Sequence, residues 1–220
     1  MIIEKPNSKL SHFERCLQRL EQDILRMGTL VEESFRLSHQ SLFARNLDAI
    51  QKINILDKQI DQYYRQIEND CTMFMTLHSP VAQDVRILSA FMQLVRDLER
   101  IGDYAQDLSE MALKLFSYTP HECMDKIEQM STHAQIMLAE SLVGLAEFDV
   151  TSGERVKNLD DVVDDAYDNV YAQLANQKNI IGLVEPSLIL VLVIRSLERM
   201  ADHATNIAQR VSYIITGHRA

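Results

Sequence analysis

From Leu10 to Phe43 the apolar positions Phe13, Leu17, Leu20, Ile24, Met27, Val31, Phe35 and Leu42 step by three, four and once by seven. That is the spacing of an amphipathic helix. Similar patterns recur between breaks at Asn46 to Asp48, His78-Ser79-Pro80, Ser117 to Pro120, Asp149 to Gly153 and Asn179 to Pro186. Five breaks predict six helices, and a helix of about 30 residues is about 45 Å long. The run Leu188 to Ile194 is apolar enough to suggest a buried strand, but it passes without a breaker into LERMADHATNIAQRV. We therefore expect one helix from about Pro186 onward, with the proline in the first turn, where its missing N–H costs nothing.

The pattern also repeats. RDLERIGDYAQDL at Arg96 to Leu108 aligns with RSLERMADHATNI at Arg195 to Ile207, an offset of 99 residues. Upstream, LDKQID at Leu56 to Asp61 meets LDDVVD at Leu159 to Asp164 at an offset of 103. The change of four is about one helical turn, which places an extra turn near the Cys71 to Pro80 corner of the first half. Each half then holds three helices, and the expected fold is all-α: a tandem pair of three-helix bundles related by an internal pseudo-two-fold, over residues 1–117 and 118–220.

Composition narrows the function. The net charge of −10 and the lack of any Lys/Arg cluster oppose binding to DNA or RNA, whose phosphates demand such a cluster. Cys16, Cys71 and Cys123 form no C-x-x-C pair and read as ordinary buried thiols. The methionines, Met73, Met75, Met92 and Met200 among them, read as core filler. The opening MIIEKPNSK holds no apolar signal segment, and no apolar run approaches the ~20 residues of a membrane span, so a cytoplasmic soluble chain is expected.

Candidate chemistry lies in the acids. Asp57 with Asp61, Glu99 with Asp103, Asp160 with Asp164, and Glu198 with Asp202 are all spaced i, i+4, and so share a helix face. With Leu98 taken as the core direction, Glu99 and Asp103 fall at about 100° and 140°; with Val163 as zero, Asp160 and Asp164 fall at about 60° and 100°. All four pairs flank the apolar stripe on the same side. The second and third helices of each bundle are therefore expected to bring two acidic pairs to a solvent-facing seam. Four like charges raise one another's pKa unless a cation offsets them, and oxygen ligands suit Mg, Ca or Mn while also accepting Fe or Zn. The competing reading is a solvated surface in which Arg100 and Arg199 neutralise the acids as ordinary ion pairs. The run Asp160, Asp161, Asp164, Asp165, Asp168 lacks the spacing and glycine of an EF-hand loop. His203 lies about 100° beyond Asp202 and is expected at the surface.

At these residues the chain resembles the PhoU family of phosphate-transport accessory proteins. The resemblance rests on LERIGD at Leu98 to Asp103, LERMADHATNIA at Leu197 to Ala208, PVAQDVR at Pro80 to Arg86, LDKQID, and the closing Tyr213 to Gly217. It implies a dimeric cytoplasmic protein that acts on the phosphate-specific ABC transporter and a membrane sensor histidine kinase. There it would repress phosphate uptake and the starvation response. It further implies that the eight acids above hold surface-bound metal ions. Ala201 departs from the family's usual Gly, and Tyr104 and Asp107 stand where the second half keeps His203 and Asn206.

Two other functions remain open at this point. A di-metal carboxylate oxidase needs inward-facing Glu-x-x-His, and no Glu here has His three residues later, so no enzyme is expected. A metal-free helical adaptor, serving this or another phosphate transporter, would use the acidic seam to steer basic partners.

Overall fold

The computed structural model describes residues 12–78, 80–177 and 182–218. They form six helices: α1 (His12–Phe43), α2 (Asp48–His78), α3 (Ala82–Leu115), α4 (Met124–Glu147), α5 (Ser152–Ala175) and α6 (Glu185–Thr216). No strand occurs among the described residues. The Asn179–Pro186 break lies partly outside them. Its described part holds Gly182 at φ +112° and leads into α6, with Pro186 in the first turn as expected. Leu188 to Ile194 is helical. Helix α2 has 31 residues where α5 has 24, so the first half runs further as helix toward its Cys71 to Pro80 corner.

Two kinds of helix share the fold. Helix α2 buries Ile53, Ile60 and Ile67, seven apart, and α5 buries Val156, Val163 and Val170 at the same spacing. A line of residues seven apart gives a helix one narrow packed side. The other four helices bury a second side, lined by small or hydroxyl residues: Ser34 and Ser38 on α1, Ser109 on α3, Ser131 on α4, Ala204 on α6. These inner helices join the repeats, α3 packing on α6 and α1 on α4, while among the described residues α2 and α5 each touch only the two inner helices of their own repeat.

Both inner pairs run antiparallel. On α1 and α4, His39 Nδ1 lies 3.0 Å from Ser131 Oγ, while Gly28 faces Leu142, whose Cδ2 stands 2.6 Å from where a Cβ would be. On α3 and α6, Asp97 meets His203 and Arg86 lies over the Tyr213 ring, 6.0 Å from its centroid. Gly217, at φ +78°, ends α6 in the left-handed conformation that glycine tolerates, and a Cβ there would strike the Arg86 guanidinium.

Three expectations change. Met73 is exposed and Cys16 only half-buried, although Cys71 and Cys123 are buried. Burial pushes the Cys71 thiol up to about 12 and the Cys123 thiol up to about 11, so neither is a ready nucleophile. His203 is 12% exposed and not a surface residue: its Nδ1 lies 2.8 Å from Asp97 Oδ1, joining the two repeats. In the first repeat the equivalent position is Tyr104, whose ring centroid lies 6.0 Å from that of His203.

Candidate functional site: two acidic seams

Close packing of an outer helix on an inner one sets each seam. On α2 and α3, a Cβ added to Gly102 would lie 3.2 Å from Ile60 Cδ1, so the helices approach where no side chain intervenes. Asp61 and Asp103 are the next residues along each helix, and the approach brings them together. The second repeat has Val163 and Ala201 at these places, both buried. One methylene has moved from one helix to the other: Ile plus Gly and Val plus Ala carry the same side-chain carbon count. Volume-conserving exchanges of this kind are the best tolerated in a core. The Ala201 departure therefore leaves the seam intact.

Within each seam, acids from two helices act on one another. Burial, then Asp61 and Asp103, raise the Asp57 pKa. Burial and then Asp103 raise that of Glu99, with Asp61 adding to it against Arg100 and Arg96. Burial raises Asp103, opposed by Arg100 and reinforced by Asp61. In the second repeat burial and Asp164 raise Asp160, and burial, Asp202 and Asp161 raise Asp164. Burial and Asp202 raise Glu198 against Arg195 and Arg199. Asp57, Asp61, Glu99 and Asp103 thus form one constellation, and Asp160, Asp164, Glu198 and Asp202 the other.

Arginines occupy much of this space. Arg65 lies 2.7 Å from Asp61, and Arg100 lies 3.2 Å from Asp103 and 3.6 Å from Glu99. Arg195 lies 2.8 Å from Glu198, and Arg199 lies 3.0 Å from Asp202. Asp160 differs, for its partner is a hydroxyl: against the rise from burial and Asp164, the Thr205 side chain lowers its pKa. Among the described residues, no three His, Cys, Asp or Glu side chains are set as the ligands of one ion in this arrangement. What the seams hold is a dense, partly desolvated negative charge restrained by movable guanidinium groups. The Asp97–His203 pair beside them escaped the sequence reading. The signal for it was Ser196, Ala204 and Ala208, small residues that mark a second packed side on α6.

The fold and seams define a class: duplicated all-helical proteins that carry an i, i+4 carboxylate pair on two adjoining helices of each repeat. The family model described as "PhoU domain" matches this chain twice, over residues 24–112 and 127–211. The chain belongs to the PhoU family. It is 63% identical to a Synechocystis protein named phosphate-specific transport system accessory protein PhoU homolog, over 97% of this chain and 95% of that one. A Deinococcus radiodurans homolog of the same name is 30% identical, over 94% and 97% of the two chains. Among solved structures, PhoU from Pseudomonas aeruginosa superposes with a TM-score of 0.86 at 28% identity, covering 94% of this chain and 100% of that one. The phosphate transport system regulatory protein PhoU from Streptococcus pneumoniae gives 0.86 at 26%, covering 95% and 99%.

Proposed function

We propose that this chain is an accessory regulator of phosphate transport that works by protein contact and catalyses no reaction. The observation that carries this reading is the full-length relationship to the Synechocystis accessory protein. In this reading the chain, as a homodimer in the cytoplasm, represses phosphate uptake and the starvation response. It does so by binding the phosphate-specific ABC transporter and the sensor histidine kinase. Such control requires different affinities for the partners' conformational states. No helix among the described residues is long and apolar enough to cross a membrane, so contact with membrane components falls to partner surfaces.

Divalent or trivalent metal is part of the same proposal, with Asp57, Asp61, Glu99 and Asp103 holding it on one repeat and Asp160, Asp164, Glu198 and Asp202 on the other. The donor set suits it: clustered oxygen ligands whose pKa values are raised first by burial and then by one another. A bound cation, whether Fe, Zn, Mg, Mn or Ca, would supply the missing positive charge. The arginines must swing aside, and exposed ion pairs of this kind are worth only ~0–1 kcal/mol each.

The test is a deletion strain with a phosphate-starvation reporter, complemented by tagged protein. Wild-type protein should restore repression and co-purify with transporter and kinase subunits. A reporter indifferent to deletion would overturn the regulatory reading. Elemental analysis of protein purified without chelator should find metal, and Asp103→Ala with Asp202→Ala should lose it; equal content in both would remove the metal.

A further inference from the structure

The internal repeat provides a control for every surface position, and along the α5–α6 seam the two halves disagree. Two turns beyond Asp164, on the same flank of α5, Tyr171 is 46% exposed and stacks on Tyr167 with ring centroids 6.1 Å apart. Ala175, one turn further, is exposed too. In the antiparallel register set by Asp164 and Asp202, these residues run alongside the first turns of α6, where Leu188 and Leu192 are 61% and 55% exposed. The first repeat puts Glu68, Thr72, Ser89 and Gln93 at those four places. There the polar groups satisfy one another: Tyr64 donates to Glu68 at 3.3 Å, Thr72 to the Glu68 carbonyl at 3.0 Å, and Gln93 to Ser89 at 3.4 Å. The same four positions are thus polar in one half and an exposed tyrosine, alanine and two leucines in the other.

The charges beside the strip diverge as well. The first repeat carries Lys58, Gln62 and Arg65 where the second carries Asp161, Asp165 and Asp168. Lys58 and Arg65 offset Asp57 and Asp61, whereas Asp161, Asp165 and Asp168 add to the repulsion on Asp164. The same stretch of helix is positive in one half and three charges negative in the other. The charge difference does not serve the core, since all six of these positions are exposed.

We infer that this strip of the second repeat, Tyr171 with Leu188 and Leu192, continued along α5 by Asp168, Asp165 and Asp161, docks an amphipathic helix of a partner protein whose apolar stripe runs on into Lys or Arg. A helix that lays down an apolar face does so at i, i+3, i+4 and i+7, and the acidic run beyond the strip selects and orients a basic one. A second copy of this chain is disfavoured by the same charges. In a two-fold contact centred on these aspartates they would meet their own copies. The inference deepens the contact-protein reading above and rests on it.

The probe is a synthetic amphipathic peptide of about 18 residues, about 27 Å as a helix, with a leucine stripe and flanking lysines. Its controls replace every lysine by glutamate or scramble the leucines. Full-length protein in chelator should bind the lysine peptide, as read by fluorescence anisotropy, and neither control. Leu188→Ser with Leu192→Gln installs the first repeat's residues at exposed positions and should weaken binding by about tenfold or more. Tyr171→Glu should do the same, with circular dichroism unchanged. Hydrogen exchange should show protection in the C-terminal half of α5 and the N-terminal half of α6. Equal binding of lysine and glutamate peptides, or binding untouched by the exchanges, would overturn the inference. So would exchanges that dissolve a dimer in sedimentation while leaving peptide affinity alone, which would assign the strip to a second copy. Because the assay holds no transporter component, its failure is separable from failure of the complementation test.

Discussion

Asp61 and Asp164 occupy equivalent positions in the two repeats, yet neutralising them should have different effects. Asp61 is held by Arg65 at 2.7 Å. Asp164 instead feels burial and then Asp202, Asp161, Asp168 and Asp165, and among the described residues no ion pair offsets it. Like charges near one another on helices cost ~0.2–0.5 kcal/mol each. Four of them make the native-state strain at Asp164 about 1 kcal/mol at low salt. In Asp164→Asn that strain disappears, and the melting temperature should rise by about 2–4 °C for a chain of this size. Asp61→Asn relieves repulsion on Asp57 and Asp103 but forfeits the Arg65 pair, worth ~0–1 kcal/mol, so its melting temperature should barely move. The assay is differential scanning calorimetry of metal-free protein at low and at about 1 M salt, where a ~3 Å screening length should erase most of the Asp164 gain. An Asp164→Asn protein that melts lower than wild type, or a gain that ignores salt, would refute the reasoning.

Further outcomes follow from the geometry. Gly102→Ala gains about 1 kcal/mol of helix propensity and loses a comparable amount by pressing on the end of Ile60, so alone it should barely move stability; added to Ile60→Val, which recreates the second repeat's Val–Ala pair, it should raise stability by about 1 kcal/mol over Ile60→Val in urea denaturation. If the double variant lost the sum of the two single changes, the volume exchange would be wrong. His203→Ala should lower the unfolding free energy by ~1–3 kcal/mol, because it leaves the mostly buried Asp97 carboxylate without its partner; a loss under ~0.5 kcal/mol would show the pair to be idle. Six seam carboxylates have raised pKa values, so the folded chain binds protons more tightly than the unfolded one. Their contribution to stability must fall as pH climbs from the ordinary range near ~4 through the raised values. Metal-free protein should therefore melt higher near pH 5 than near pH 7, and a saturating divalent cation should remove the difference; melting that rises steadily over that interval would contradict the seam electrostatics.

Much of this was legible along the chain because helices advertise themselves by period. The duplicated LERIGD and LERMAD segments placed the repeats, and Glu99, Asp103, Glu198 and Asp202 fell on the flanks that the angular construction gave them. His203 was misplaced for a definable reason. An angle measured from one apolar stripe assumes one buried side, whereas α6 has two: Leu197 faces its own bundle, and Ala204 and His203 face the other repeat. The residues that mark the second side are serines and alanines, which a hydrophobic count ignores. Ion pairing within the seams was invisible for another reason. Arg65 and Arg195 stand three or four residues from their acids, but nothing in the sequence says which rotamer each arginine adopts.

The single line of isoleucines or valines that fastens each outer helix has an evolutionary consequence. Duplication left two such rods, each gripped along one edge and bare around most of its circumference. Bare positions can mutate without loosening the grip, so a doubled gene could keep one scaffold while its twin exteriors diverged. Lys58 and Asp161, identical in station and opposite in sign, are the record of that freedom.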